Sequence, residues 1–381
     1  MTAPQWIIPQ QLFDGDRLLS DLAVVIAEGQ VAHTCPIGSV PAQVRPLTIA
    51  GILTPGFVDL QVNGGGDVLL NQHPTPAGMA VMATAHHRFG TVAILPTVIT
   101  DAPDILDRAA KAALATRGQP GIIGLHIEGP HISVARRGTH AERFIRPLDE
   151  ATLNIVRTLR AAAIPVMITL APEAVSPGQI ATLAAMGAVV SIGHSDATAD
   201  LTRSTLAQGA SCFTHLFNAM SPMLNRSAGV VGAAINSTAY AGIICDGIHV
   251  ADEMVGLALR ARPVPDRMFL VSDAMSTVGG SDHFTLYGQT IRLQNGRLIN
   301  DEGSLAGAHV TMAQSVQRLI TVVGTPVEQA LRMAVTVPAR VIGRPDLSGC
   351  VGRSVDDMLV LDSLFTAVPL THHLSRVSAR A

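Results

Sequence analysis

The chain is poor in aromatic and charged residues and carries no excess of positive charge. Of its 381 residues, 3% are aromatic and 14% are charged, and 26 Lys and Arg are set against 29 Asp and Glu. This balance excludes a polycation that wraps nucleic acid, so no nucleic-acid partner is expected. Hydrophobic residues make up 48% of the chain, which excludes intrinsic disorder and indicates a large aliphatic core.

Segments that would cross a membrane or direct secretion are also missing from the sequence. The longest apolar stretch, 181–192, is interrupted by polar and glycine residues and is too short to cross a bilayer. No positive region followed by an apolar segment opens the chain, so a secretory signal is not expected. The four cysteines are scattered singly, as in a reducing compartment. We therefore expect a cytoplasmic protein without membrane association.

The order of the apolar runs predicts an α/β fold built on a (β/α)8 TIM-type barrel. Residues 1–53 alternate short apolar runs with turn residues, which is typical of β structure. After Pro55, short apolar runs are separated by Ala-rich stretches with helical spacing, as in repeated βα units. Eight such runs can be counted: 57–62, 92–96, 122–127, 166–170, 189–192, 211–213, 242–245 and 268–271.

Two domains are predicted from this pattern. Eight strands with their helices need about 250 residues or more, which fits a barrel over 54–346. A doubly wound sheet is the alternative, but no glycine-rich phosphate fingerprint follows the first strand as it requires. A lone strand is expected at 357–361, and the tail through His372 and His373 is expected to lack a further strand. Residues 1–53 and 347–381 are therefore predicted to form a small β-sandwich domain.

Acids and histidines follow several of the predicted strands. The carboxyl ends of parallel barrel strands meet at one mouth, where active sites are built. Glu128, His194 and His215 would supply one carboxylate and two imidazoles there, a set that leaves coordination positions open as catalytic metal sites do. A single histidine is more often a hydrogen-bonded residue of a buried loop. Several acids and histidines placed alike favour a metal site.

Asp273 ends the eighth predicted strand and is a candidate general base toward a water molecule at the metal. The alternative is that Asp273 caps a following helix, since aspartate is a strong N-cap residue. His126 is compatible with core packing or with a role near the substrate. The sequence has no GxxxxGK[ST], HExxH or GxSxG motif, which removes the main support for a nucleoside triphosphatase, a zincin or a serine hydrolase.

A set of motifs, in order along nearly the whole chain, resembles the N-acetylglucosamine-6-phosphate deacetylases of the amidohydrolase superfamily. The most specific of them is Thr214–Met220. The resemblance implies metal-dependent hydrolysis of the acetamide of N-acetylglucosamine 6-phosphate, a small phosphosugar, to glucosamine 6-phosphate and acetate. The motifs that carry it are Pro55–Gly66, His126–Pro130, Gly193–Ser195, Thr214–Met220, Asp246–His249 and Ser272–Ala274.

The resemblance also implies roles for individual residues. Glu128, His194 and His215 match the family's metal ligands, and Asp273 matches its catalytic acid and base. His140 matches a histidine that contacts the sugar. In similar enzymes one arginine of the phosphate site comes from the neighbouring subunit, so a homodimer is expected. The phosphate-binding set is matched by Asn218, the backbone of Ala219, Arg226 and His249.

One departure bears on the number of metal ions. Many amidohydrolases carry a His-x-His motif at the end of the first strand, where this chain has Gln61 and Asn63, as in a single-metal branch of the deacetylases. One divalent metal ion per subunit is therefore expected, zinc first, with iron, manganese or cobalt also compatible with two histidines and one glutamate.

Three other functions remain open from the sequence. The first is the same chemistry on N-acetylgalactosamine 6-phosphate, which differs only in the orientation of one hydroxyl group. The second is a cyclic-amide hydrolase of the dihydroorotase kind, which would normally require the missing His-x-His motif. The third is a catalytically inactive barrel that senses a sugar phosphate.

Overall fold

The computed structural model describes residues 4–300 and 305–378, and both ends of this span contribute to one sandwich-like sheet of seven strands. Buried aliphatic residues alternate with exposed residues along the first strand, as expected of a sheet with one face on a core. Its first five strands are β1 (Gln5–Phe13), β2 (Leu18–Leu19), β3 (Leu22–Ala27), β4 (Gln30–Pro36) and β5 (Leu47–Pro55).

After the single residue Gly56, the chain enters an eight-stranded parallel sheet. A Cβ on Gly56 would overlap the side chain of Val92, so the close approach of the two strands requires glycine. A short hairpin of β7 (Gly64–Gly65) and β8 (Val68–Leu69) follows the first barrel strand. The barrel strands are β6 (Phe57–Val62), β9 (Thr91–Ile99), β10 (Leu125–Glu128), β11 (Val166–Leu170), β12 (Val189–Ile192), β13 (Cys212–Phe213), β14 (Tyr240–Ile243) and β15 (Met268–Leu270).

The eight strands pair in chain order, and a parallel bridge between Val62 and Ala274 joins the first strand to the segment after the last. All eight predicted runs thus become barrel strands, and the predicted (β/α)8 barrel is confirmed. The third strand begins at Leu125 rather than Ile122, because Ile122 makes only an isolated bridge to Ile94. The seventh strand ends at Ile243 rather than at Cys245, because its pairing with β15 ends at Ile243.

A helix lies after each barrel strand, and the local sequence explains several helix starts. Asp149 accepts a hydrogen bond from the amide of Thr152, and Thr311 with Gln314 forms a capping box, both of which satisfy amides at a helix start. The helices are α1 (Pro76–His87), α2 (Pro103–Ala115), α3 (Glu150–Ala161), α4 (Gln179–Ala185), α5 (Ala199–Ala207), α6 (Gly229–Ile235), α7 (Asp252–Ala261), α8 (Met312–Thr321), α9 (Val327–Leu331) and α10 (Val337–Val341).

A four-stranded antiparallel sheet is inserted between the eighth barrel strand and α8, and the sequence did not predict it. It has its own apolar core, which includes Phe284, Leu286 and Ile291. Through Leu69, Ile99 and Met275 this core reaches the upper rim of the barrel. Its strands are β16 (His283–Leu286), β17 (Gln289–Gln294), β18 (Arg297–Ile299) and β19 (Leu305–Ala308).

The tail completes the seven-stranded sheet. The expected lone strand is present as β20 (Met358–Leu361), which pairs antiparallel with β5. The expectation that no further strand follows is wrong, because β21 (Ala367–Pro369) pairs with β20 and leads into α11 (Leu370–Ser378). The sequence did not predict β21, because this strand has only three residues and ends in proline. No helix in the described ranges is long and apolar enough to cross a bilayer.

Candidate active site

The three predicted metal ligands meet at the mouth of the barrel. Glu128 is the last residue of β10, and His194 and His215 each lie two residues beyond the end of a barrel strand. Glu128 Oε1 lies 3.3 Å from His194 Nε2 and 3.1 Å from His215 Nε2, and the two Nε2 atoms are 3.1 Å apart. All three side chains are buried. The structure therefore brings together the three residues that the sequence suggested as ligands.

The backbone conformation at the strand ends turns these side chains into the mouth. His194, His215 and Asp273 have φ angles of 48°, 31° and 53°, a region that residues with a Cβ adopt rarely. Such strained residues persist where surrounding structure holds them, and they concentrate at functional sites.

The hydrogen bonds of His194 fit a cation-binding role. Its Nδ1 lies 2.9 Å from the carbonyl oxygen of Arg136. A carbonyl can only accept, so Nδ1 donates this hydrogen bond, which makes Nε2 the nitrogen whose lone pair a cation could use. That lone pair faces a carboxylate oxygen and another imidazole nitrogen. One carboxylate oxygen and two imidazole nitrogens around one point form a ligand set that suits a divalent metal.

Asp273 lies beside this cluster and is held by two amide side chains. Its Oδ1 accepts hydrogen bonds from Asn63 Nδ2 at 2.6 Å and from Gln61 Nε2 at 3.1 Å. Burial and the negative charge of Glu128 raise the pKa of Asp273 to about 6. No helix begins directly after Asp273, so the alternative that it is an N-cap is wrong.

Gln61 and Asn63 occupy the positions of the missing His-x-His motif and act as hydrogen-bond donors. Gln61 Nε2 also donates to Glu128 Oε1 at 2.8 Å. One amide group therefore connects the candidate ligand Glu128 with the candidate base Asp273. Sequence analysis noted these two residues only as a departure from the motif and did not foresee that they would hold Asp273.

His126 lies one level lower on β10 and belongs to a complete hydrogen-bond chain. Its Nδ1 donates to the carbonyl of Leu60 at 2.9 Å, and its Nε2 lies 2.7 Å from Thr169 Oγ1. Burial lowers the pKa of His126 to about 4, so the neutral ring accepts from Thr169. The hydroxyls of Thr214 and Ser191 continue the chain, with 2.6 Å between neighbouring oxygens. Of the two roles open for His126, the structure places it in core packing.

His140 lies against the candidate metal ligands. Its ring centroid is 4.4 Å from that of His194, and its Nδ1 is 2.7 Å from Thr100 Oγ1. Burial, together with the nearby His194, lowers the pKa of His140 to about 3, which keeps the ring neutral. The sequence did not identify Thr100 as its partner. Thr100 comes directly after β9, the same signal of a polar residue at a strand end that identified the other site residues.

The predicted phosphate-binding residues lie on the loops after β13 and β14. The backbone amide of Asn218 donates a hydrogen bond to the carbonyl of His215 at 3.0 Å, and Ala219 has a φ of 51°. His249 is held by Asp246, whose Oδ2 lies 2.6 Å from His249 Nδ1 and whose Oδ1 accepts from the His249 amide at 2.8 Å. Sequence analysis named His249 but not this orienting function of Asp246.

Arg226 is exposed, unlike the other predicted site residues. It lies on a fully exposed loop, 222–228, closed by a bridge between Leu224 and Ser227. Met223 and Leu224 on the same loop are 45% and 60% exposed. The loop therefore presents a guanidinium group and two large apolar side chains to the surroundings.

A parallel barrel with a carboxylate and two histidines at its mouth defines a class of metal-dependent hydrolase. The profile of the Amidohydrolase family matches residues 52–356, and the chain belongs to this family. It is 41% identical over 317 residues to the N-acetylgalactosamine-6-phosphate deacetylase of Shewanella sp. strain ANA-3, covering 82% of this chain and 80% of that protein.

Two further relatives are named for N-acetylglucosamine 6-phosphate instead. The N-acetylglucosamine-6-phosphate deacetylase of Haemophilus influenzae is 31% identical over 341 residues and covers 88% of each chain. The crystal structure of the enzyme of that name from Pasteurella multocida superposes with a TM-score of 0.87 at 32% identity, over 96% of this chain and 97% of that one. The family resemblance seen in the sequence is confirmed.

Proposed function

We propose that this protein hydrolyses N-acetyl-D-glucosamine 6-phosphate to D-glucosamine 6-phosphate and acetate with a divalent metal ion. The observation that carries the proposal is the buried convergence of Glu128 Oε1, His194 Nε2 and His215 Nε2, with the carboxylate of Asp273 beside them. In this proposal the cluster holds a cation beside a proton carrier, the combination used in metal-assisted amide hydrolysis.

Glu128, His194 and His215 would hold the metal, which supplies polarisation of the substrate carbonyl and a more acidic water. Asp273 takes the proton of the attacking water and delivers it to the leaving amine nitrogen. Its Oδ1 is fixed by the amides of Gln61 and Asn63, while Oδ2 has no hydrogen bond within the described residues. We assign the proton transfer to Oδ2, because the fixed Oδ1 already accepts two hydrogen bonds.

One metal ion per chain is proposed, and zinc is the first candidate. Two imidazoles and one carboxylate also accept iron, manganese and cobalt. Gln61 and Asn63 direct amide N–H groups toward the carboxylates, and an N–H group cannot ligate a metal. Metal analysis of the purified protein would test the single-metal proposal.

The phosphate group would be bound by Asn218, the backbone amide of Ala219, His249 and an arginine of a second subunit. Arg226 supplies that arginine in this proposal, because its exposed loop presents a cation together with apolar surface suited to a subunit interface. The proposed assembly is a homodimer. Residues 1–53 and 347–381 are proposed as the small domain and 54–346 as the barrel domain, and a cytoplasmic location stays a prediction.

N-acetylgalactosamine 6-phosphate is the second candidate substrate. The Shewanella relative that bears this sugar in its name is 41% identical to the chain, against 31% for the Haemophilus relative with the glucosamine name. The same mechanism would serve either sugar, because the two differ at one hydroxyl group that is distant from the acetamide.

The test is acetate release from the two sugar phosphates in parallel, with metal-loaded and chelator-treated protein. Faster metal-dependent release from N-acetylglucosamine 6-phosphate supports the proposed substrate. A preference for N-acetylgalactosamine 6-phosphate keeps the mechanism and changes the substrate. Activity on dihydroorotate without activity on either sugar would contradict both, and binding of the sugars without turnover would indicate a sensor.

A further inference from the structure

The inserted sheet reaches the rim of the candidate site through one tyrosine. Tyr287 and Gly288 form the turn between β16 and β17, and both have positive φ angles, 50° and 86°. The hydroxyl of Tyr287 donates a hydrogen bond to the backbone carbonyl of Thr100. The turn of the inserted hairpin is thereby connected to the residue that directly follows β9.

Thr100 in turn contacts His140. Its Oγ1 lies 2.7 Å from His140 Nδ1, and Thr100 is completely buried. A Cβ on Gly129 would overlap Thr100 Oγ1, so the backbone after Glu128 blocks movement of Thr100 toward β10. Nδ1 of His140 makes this hydrogen bond, and its Nε2 makes none within the described residues.

The surroundings of Tyr287 keep its hydroxyl a donor. Its ring packs near that of Phe144, with 6.4 Å between ring centroids, and Arg143 lies 6.0 Å from its centroid. Burial and the charge of Asp101 raise the pKa of Tyr287, so the hydroxyl keeps its proton and donates it to the Thr100 carbonyl.

We infer that Tyr287 is a positioning residue for the deacetylation reaction, because its hydrogen bond holds the backbone of Thr100, and the Thr100 side chain in turn contacts His140. The inference rests on the proposed function, in which His140 contacts the sugar. In this arrangement Tyr287 acts through Thr100 and His140 and needs no contact with the substrate.

The first experiment compares Tyr287→Phe with Tyr240→Phe. The chain has only these two tyrosines, and Tyr240 lies on β14 with its ring against Arg267. One neutral hydrogen bond contributes about 0.5–1.5 kcal/mol, so Tyr287→Phe should raise KM about 2- to 10-fold. We expect kcat, metal content and thermal midpoint to stay close to the wild-type values, and Tyr240→Phe to leave KM unchanged. An unchanged KM for Tyr287→Phe, or an equal rise for Tyr240→Phe, would overturn the inference.

A second pair of variants separates positioning from general packing. Thr100→Val removes the hydroxyl that His140 contacts and should raise KM. The separate variant Thr100→Ser keeps the hydroxyl and should have a KM close to that of the wild type. In a His140→Ala background, Tyr287→Phe should cause no further loss, because coupled residues are not additive. A full additional loss in that background would overturn the inference. Wild-type protein that hydrolyses neither sugar phosphate would instead refute the proposed function.

Discussion

Two successive levels of polar side chains inside the barrel differ in whether their hydrogen bonds are complete. At the lower level, both ring nitrogens of His126 have partners, and Thr169, Thr214 and Ser191 continue the chain. At the upper level, the Nε2 atoms of two histidines point at each other and at a carboxylate oxygen. The lower level therefore satisfies its own polar groups, whereas the upper level gathers three atoms that a cation could bind.

The comparison shows how a ligand histidine differs from a structural one when both are buried. Burial does not separate them, because His126 and His194 are both buried. They differ in the partner of Nε2. At the upper level Nε2 faces groups that normally accept hydrogen bonds, whereas at the lower level it faces a hydroxyl group that donates one. Substitutions at the two levels should therefore have different effects on metal content and on stability.

His194→Ala should remove the metal and with it nearly all activity. The variant keeps only Glu128 and His215 of the three ligands, and we expect turnover to fall at least about 1,000-fold because the chemistry supplied by the metal is lost. Metal analysis and acetate release measure the two effects. The control is His131→Ala at another buried histidine, whose nitrogens bond Arg146 and Thr152. Full metal content in His194→Ala would contradict the ligand assignment.

Asp273→Asn should separate chemistry from metal binding. Asparagine cannot take up a proton, so turnover should fall by about two to four orders of magnitude, the usual contribution of general acid–base catalysis. Metal content should remain near that of the wild type. If the variant loses its metal as His194→Ala does, Asp273 is a ligand rather than the base.

Arg226→Ala should weaken binding of the phosphorylated sugar, with KM rising about 10- to 100-fold through loss of a charge-assisted contact. Arg203→Ala, on the exposed surface of α5, is the matched control. Subunit mixing tests the origin of the arginine. If it comes from the partner subunit, mixing Arg226→Ala with Asp273→Asn restores a wild-type KM in one site of each mixed dimer. Restoration fails if the arginine acts within its own chain.

His126→Ala should reduce stability and leave the metal in place. The substitution leaves the Leu60 carbonyl and the Thr169 hydroxyl without their partner in a buried site, which costs about 2–4 kcal/mol in free energy of unfolding. Denaturant unfolding of the metal-loaded protein measures this, with exposed His283→Ala as the control. Loss of metal at unchanged stability would place His126 with the ligands and remove the distinction between the two levels.

Much of the architecture could be predicted from the sequence because the signals are local. Each barrel strand is a short buried run followed by a helical stretch, and the candidate ligands are polar residues directly after such runs. The inserted sheet was missed because its strands, such as Arg297–Ile299, are short and mixed in polarity. The strand at 367–369 was missed for similar reasons, since its residues gain their conformation from pairing with β20.

Within the site, residue identities were predictable and hydrogen-bond partners were not. Glu128, His194 and His215 stand out by type and position, whereas the contacts between Gln61 and Asp273 and between Thr100 and His140 join residues 212 and 40 positions apart. Such contacts depend on how the strand ends are arranged around the mouth. Whether Arg226 acts on its own chain's site depends on the assembly, which no local pattern in one sequence specifies.

We propose that the upper level holds one metal ion on which deacetylation depends. A titration of metal-free protein with zinc, with acetate release from N-acetylglucosamine 6-phosphate as the readout, tests this most directly. We expect a linear rise in activity that ends at one equivalent per chain. Activity that is complete without added metal, or that requires a second equivalent, would contradict it.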